Sequence, residues 1–589
     1  MRKIQKTVMI WISFFVICLI IVVNKKTSLG YDLTMEYKNN YINNSEIYFS
    51  KAPGFYTEEF DLAIIAPTNE IYYTLDGSEP TKESIKYTEP IRIIDATSNS
   101  NNHSMRKDTT TGFCKELIEQ HCISPYLDYK VPEYNIDKCT IIRAVYYDEN
   151  GNRSDIQTGS YFVNYQQRTG YDDIGIISIV TDPYNLFDYY DGIYVTGSTF
   201  DEFINNNGLD ESNSMKYYWN WWGANYRNEG KAWEREATIQ IFDDQQIVLS
   251  QEVGIRIQGG GSRGYVQKSL NIYAREEYGG NSKIYYDFFD EGFYSSVVTL
   301  SSSGDDYHAK IKDRLVAELA VGFNYSTMNY VPYIMFLDGE YWGVYYIAEK
   351  YGDEYISKEY GVNKENVIMI KNNQIEAGND DDIHSYRRFI NFMENSDMSI
   401  DSNYQKACEL MDMDSAIDYF ATQLYISRSN DWPAGYSNTA LWRTREIGSG
   451  EYEDGRWRWM MFDVNSGAMT RNLVDFDSIT HARNSCPLFD NLCKNQEFVE
   501  KLVDKIIEIG LVDFSYETVM SKIDNYVNEL QEPMLVHNKR FWGTDNEVYY
   551  ENIDSIRFFY QYRFDNIVSI LKENFPNIDI DYYVNMHGK

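Results

Sequence analysis

The sequence predicts a multidomain protein with an N-terminal transmembrane helix, an all-β sandwich, and then an α+β domain whose C-terminal part is helical. Three observations predict it. An uncharged apolar run occupies 7–23. Short β-type runs separated by turn residues occupy 46–165. From Asp172 buried-type strands alternate with helical stripes until, after Phe489, helical spacing dominates. The chain has 589 residues, enough for two or three domains with a full-sized core.

The apolar run (TVMIWISFFVICLIIVV) follows Arg2, Lys3 and Lys6 and ends at Asn24, Lys25 and Lys26. At ~1.5 Å per residue it spans roughly 26 Å, near the lower limit for crossing a bilayer. Its end lacks the small residues of a cleavage site, which favours an uncleaved signal anchor over 1–28. The slight excess of basic residues before the run favours an inside N-terminus and an extracytoplasmic body, so the expectation is a single-pass protein touching the membrane through this helix only. A polar, Asn- and Tyr-rich tether follows over 29–45.

Residues 46–165 read as the sandwich, with strands at 60–66, 71–75, 91–94, 140–147 and 158–163. Asp76-Gly77 and the DENGN word at 148–152 supply the turns, and 98–138 is a polar insertion containing cysteines. The α+β domain, 170–580, starts with strands at 174–180, 237–242, 253–258 and 268–273. A helix over 312–323 carries Leu315, Val316, Leu319, Ala320 and Phe323 on one stripe. Asp338-Gly339 joins strands 331–337 and 342–348 in a hairpin, 412–427 is helical, and three amphipathic helices follow at 497–509, 518–530 and 556–573.

A formal net charge of -35 argues against nucleic acid as a partner, because its binders need basic patches. Of the seven cysteines, Cys18 lies in the apolar run. The other six can pair in an oxidising compartment, within Cys114, Cys122 and Cys139 or between Cys486 and Cys493.

Three segments carry residues suited to chemistry. In YISRSNDWPAGYSN (425–438), Asp431 and Asn438 occupy one loop after a helix; in RWRWMMFDVNSG (456–467), Asp463 ends an aromatic strand. A loop Asp, a loop Asn and a strand-end Asp, in that order, are how kinase-type phosphotransferases hold a hydroxyl nucleophile and a divalent metal. Period-two geometry puts Trp457, Trp459, Met461 and Asp463 on one face of that strand, where a base can stack, and Arg456, Arg458, Met460 and Phe462 on the other. The third segment, GIRIQGGGSRGYVQKS (254–269), is a glycine-rich hairpin. Gly259, Gly260, Ser262 and Arg263 can approach phosphate, with Lys268 on the returning strand. On the outgoing strand Arg256 and Gln258 face away from Val253, Ile255 and Ile257; on the return Lys268 shares a face with Leu270 and Ile272.

These words and others in the same order, including GIYV (192–195), NYRNEGKAWERE (225–236), LDGEYWGVYYIAEK (337–350) and HNKRFW (537–542), resemble the spore-coat CotH kinase family. GFY (54–56), IYYTLDGSEPT (71–81), YTEPI (87–91) and IIRAVYYDENGNRS (141–154) resemble the chitobiase C-terminal β-sandwich module. The first resemblance implies an atypical protein-kinase-like fold and a Ser/Thr kinase that uses ATP with Mg²⁺ or Mn²⁺ on surface or spore-coat proteins. It assigns Asp431 as catalytic base, Asn438 and Asp463 to metal, Lys268 to phosphate and Trp457 to adenine. Glu318, on the 312–323 helix, can pair with Lys268 or with Arg314 four residues earlier. Such sandwich modules are spacers or accessory units, with glycan contact as one use. The chain departs from the family where Asn465 replaces a second acid and where the loop from Asp431 to Asn438 is longer. A catalytically inactive surface scaffold is the alternative that these departures favour.

Overall fold

The computed structural model describes residues 47–121, 129–206, 218–430, 432–543 and 546–588. The expected transmembrane helix and tether lie outside these residues, and among the described residues no helix is long and apolar enough to cross a membrane.

The N-terminal module is the expected sandwich. One layer runs Gly54–Tyr56, Gln157–Val163, Thr140–Tyr146, Ile71–Thr74, Ile85–Lys86; the facing pairs are Tyr48–Phe49 with Ile64–Ile65 and Phe60–Leu62 with Ile91–Ile93. Alternating residues such as Phe60, Leu62, Ile71, Ile142, Ala144 and Tyr161 fill the space between.

The next seven strands close on themselves. They are β1 (Gly175–Val180), β2 (Arg235–Asp243), β3 (Gln246–Gln258), β4 (Ser269–Tyr273), β5 (Val297–Ser301), β6 (Tyr330–Leu337) and β7 (Glu340–Glu349). Each pairs with two others, in the ring β1-β2-β3-β4-β5-β7-β6-β1, antiparallel except for β1 with β6. The apolar half of each strand points inward; Ile179, Ile239, Val253, Ile272, Leu300 and Ile347 belong to this barrel core. The module lies against the outside of β1 and β2. Ser160 and Ser178 share a 2.8 Å hydroxyl contact, Thr158 and Thr238 one of 3.0 Å, and Phe162 packs on Phe242 and Phe336.

After the barrel come a four-stranded sheet and a helical half. The sheet order is β9-β8-β10-β11, from β8 (Val367–Lys371), β9 (Gln374–Ala377), β10 (Ala440–Thr444) and β11 (Arg458–Met460). Four helices position the site: α1 (Lys312–Leu319), α2 (Met413–Tyr425), α3 (Tyr516–Trp542) and α4 (Asn546–Asn574). Helix α1 stops short of the expected 323; Phe323 still packs, but from a turn, stacked on Phe514. Asp412 caps α2 by accepting from the Ser415 amide, and every residue from Ser415 to Tyr425 is buried, so α2 is the axis of the helical half.

Two expectations are corrected. Cys114, Cys139, Cys408, Cys486 and Cys493 are all free thiols, so Cys486 and Cys493 are not bonded; Cys18 and Cys122 lie outside the described residues. The aromatic strand at 456–463 separates its two faces as period two requires, but both are interior. Trp457, Trp459 and Met461 join the main helical core, while Met460 and Phe462 join a smaller core under β8 and β10.

Candidate active site

Strands β8, β10 and β11 end in one row. Lys371 stands opposite Ala440, and Ala440 opposite Met460. Asn438 lies two residues before Ala440 and Asp463 three after Met460, so both leave the same end of the ladder, beside Lys371. Both have left-handed backbone, Asn438 at φ 51° and Asp463 at φ 54°, a conformation that Asn and Asp tolerate better than other side chains.

The loop before Asp431 is laced to the segment after Asp463. Arg428 Nη1 donates to the Asp463 carbonyl at 2.7 Å, the Ser429 amide donates to the Gly467 carbonyl at 2.9 Å, and Met469 donates to Ile426 at 3.1 Å. On its other side Trp432 is buried, its indole donating to the Tyr419 hydroxyl at 3.0 Å. Asp431 itself lies outside the described residues. The residues flanking Asp431, Asn438 and Asp463 therefore converge on one edge.

Several charged groups gather around Asp463. Asp313, on the first turn of α1, accepts from the Val464 amide at 2.8 Å and from the Asn465 side chain. Burial, then the Asp463 charge, pushes its carboxyl up to about 7. Burial depresses Lys371, against the pull of Glu376; its ammonium sits 4.3 Å over the Phe462 ring, within electrostatic reach of Asp463. Across from it, on the outer face of the barrel, Arg256 donates to the Tyr273 hydroxyl, and its charge acts on Glu376, whose carboxylate pairs with Lys350 at 2.6 Å. The glycine-rich loop reaches this neighbourhood through Tyr265, whose hydroxyl donates to Asp305 at 2.6 Å and whose ring is near enough to feel Asp463.

Four sequence assignments are corrected. Lys268 is fully buried, because the face it shares with Leu270 and Ile272 is the barrel interior. Its ammonium plugs the barrel mouth, donating to the carbonyls of Thr109 (2.8 Å), Arg263 (2.7 Å) and Tyr265 (2.7 Å), 3.8 Å above the Tyr226 ring. Burial, with the charges of Arg227 and Arg263, pushes its pKa far below that of an ordinary lysine; three acceptors that need three N–H donors, and the ring face, oppose this. Either way no donor remains for phosphate. Glu318 pairs with Arg314 at 2.8 Å and with Lys522 of α3 at 3.0 Å, not with Lys268. Arg263 is buried and holds the loop from within, donating to the carbonyls of Gly259, Tyr226 and Asn228. Trp457 is buried against Phe389, ring centroids 5.7 Å apart, and cannot stack on a ligand. Trp457→Ala is accordingly expected to cost about 3–5 kcal/mol of stability, read as a lower urea midpoint.

Gly259, Gly260 and Ser262 stay on the accessible rim. Gly259 is at φ +113°, and a Cβ there would meet the Ser262 hydroxyl at 2.3 Å; the Gly260 carbonyl accepts from Arg227, which stacks on Trp221. Sequence reasoning missed Lys371, Asp313 and Arg428. The signals were present but weak: a lysine ending the apolar strand VIMI, an acid in a helix first turn, and an arginine three residues before the loop Asp.

The CotH kinase protein family model matches residues 255–567, just over half of the chain. The chain belongs to the CotH kinase family. The Fn3 associated family model matches 62–161, the sandwich that precedes the kinase domain. No curated protein matches the chain.

Proposed function

We propose that this CotH kinase family member is a membrane-anchored protein kinase that transfers the γ-phosphate of ATP to Ser or Thr of surface or spore-coat proteins. The observation that carries this is the shared ladder end from which Asn438 and Asp463 depart, tied through Arg428 to the Asp431 loop. The donor set fits a hard divalent cation. Asp463 offers a carboxylate and Asn438 an amide oxygen from one end of the strand ladder, the hard oxygen donors that such a cation takes.

Asp463 and Asn438 would hold Mg²⁺ or Mn²⁺, and a bound divalent cation supplies neutralisation of the charge on the β- and γ-phosphates. Lys371 and Arg256 replace Lys268 as the cations facing phosphate oxygens. Asp431 orients the acceptor hydroxyl and takes its proton as the new O–P bond forms and the bond to the ADP oxygen breaks. Arg428 fixes the distance between base and metal segments. The run at 7–23 supports anchoring, and the sandwich supports an accessory role, with glycan contact among its uses.

Incubation of the body from Tyr31 onward with γ-labelled ATP and Mg²⁺ or Mn²⁺ tests the reading. Label is expected on the protein itself or on a Ser/Thr-rich protein, and Asp431→Asn should abolish it. No label, or label unchanged by Asp431→Asn, overturns the proposal.

A further inference from the structure

We infer that the Tyr273 hydroxyl donates to a phosphate oxygen of the bound nucleotide and that Asn271 and Thr299 aim it; this rests on the reading of the space between the barrel and the four-stranded sheet as a nucleotide site. Five barrel strands face that space in one register row. Arg256 stands opposite Asn271, Asn271 opposite Thr299, Thr299 opposite Ala348, and Ala348 opposite Tyr330. All five lie on the outer face, because the residues alternating with them, among them Ile255, Ile272, Leu300 and Ile347, fill the barrel. At one end of the row Arg256 acts on the charge of Glu376; at the other the Tyr330 ring is near enough to feel Asp463.

A hydrogen-bonded chain crosses this face from strand to strand. Thr299 Oγ1 donates to Asn271 Oδ1 at 3.0 Å, Asn271 Nδ2 donates to the Tyr273 hydroxyl at 3.1 Å, and Arg256 Nη2 donates to the same hydroxyl oxygen. A tyrosine oxygen carries two acceptor positions and one hydrogen. Two N–H donors fill the acceptor positions, so the hydrogen is directed away from both. Among the described residues nothing accepts it, although Tyr273 is buried. Glu376, the carboxylate on which Arg256 acts, is taken by Lys350 at 2.6 Å. Arg275 lies 4.7 Å over the Tyr273 ring and is itself paired with Glu234 at 2.7 Å, which steadies the ring without using the hydroxyl.

Arg256 is in the same condition. Beyond the Tyr273 oxygen its half-buried guanidinium has no acceptor, and no carboxylate at ion-pair distance, among the described residues. In a chain of net charge -35, a guanidinium left without an acid, beside a hydroxyl with a hydrogen to give, suits an anion brought from outside. Arg256 supplies the charge and Tyr273 a second donor at a fixed angle to it. Asn271 and Thr299 are positioning residues. An Asn271 amide turned over would offer Tyr273 its oxygen and take the hydrogen from phosphate, and the Thr299 hydroxyl holds the amide the other way.

The test is calorimetric binding of a non-hydrolysable ATP analogue, and of inorganic tripolyphosphate, each with Mn²⁺, to the full chain. Tyr273→Phe keeps the ring and should weaken both ligands by about fivefold or more. In an Arg256→Ala background the same substitution should still cost about threefold, because the hydroxyl gives its own hydrogen. Thr299→Val leaves both donors in place and should weaken binding by about threefold through the freed amide. Unchanged affinity in Tyr273→Phe overturns the inference, as does a loss confined to the ATP analogue or one that vanishes in the Arg256→Ala background. If Tyr273→Phe yields no folded protein, unchanged affinity in Thr299→Val overturns it instead. A wild-type chain that binds while Tyr273→Phe binds equally well loses only the role of Tyr273; a wild-type chain that binds neither ligand sinks the nucleotide reading and this inference with it.

Discussion

Asp463→Asn should remove the rise in melting temperature that ATP with Mg²⁺ or Mn²⁺ gives the wild-type body, and should lower phosphoryl transfer by about a hundredfold or more. The substitution is chosen for the backbone. Asp463 sits at φ 54°, where Asn is tolerated and Ala adds strain of roughly 1 kcal/mol or more, so Asp463→Asn isolates the charge. The surrounding loop should survive, because Arg428 grips the carbonyl of residue 463, not its side chain, and Asp313 is held by Val464 and Asn465. The unfolding midpoint without nucleotide is expected to stay level or rise, since a negative charge beside Asp313 is lost. If the wild-type protein shows no shift at saturating nucleotide and cation, the inactive-scaffold alternative replaces the kinase reading.

Lys268→Met should act through folding, not through nucleotide. Its three carbonyl partners would lose their donor inside the barrel mouth, each orphaned carbonyl costing about 1–3 kcal/mol, so the total is a large share of a typical domain's stability. The expected result is a sharply lower urea midpoint or an insoluble protein, with transfer lost in proportion to the folded fraction. Arg256→Ala provides the contrast. Its guanidinium donates to the Tyr273 hydroxyl on the outer face, so the variant should fold and show weakened nucleotide binding. A Lys268→Met variant with an unchanged midpoint and selectively lost transfer would return Lys268 to the phosphate.

The sequence carried the order of elements well, because each strand or helix depends on local period. The alternation around Lys268 was correctly read as a face shared with Leu270 and Ile272. What local pattern cannot express is that the sheet closes, since closure depends on the parallel pairing of β1 with β6, far apart in the chain, and closure turns that face into an interior. Trp457 failed for the same reason: helices at Ile383–Asn395 and Asp401–Leu410, not anticipated from the sequence, cover the aromatic face. Asn438 and Asp463 could be picked out because strand ends adjoining β10 and β11 fix their neighbourhood. Asp313 could not, because an acid in a helix first turn is ordinarily there for the helix dipole.

The Thr109 carbonyl that meets Lys268 comes from the insertion inside the N-terminal sandwich, and the Thr110 hydroxyl from the same segment reaches the Gly264 carbonyl. The sandwich module thus supplies one of the acceptors of the ammonium that plugs its neighbour's barrel. A fragment cut at residue 255, where the family match begins, would keep only the last four residues of β3, and one cut at 170 would take the Thr109 acceptor from the ammonium. Recombination could not exchange this sandwich for another spacer without also exchanging that acceptor, so the two units are expected to be inherited, expressed and lost as one.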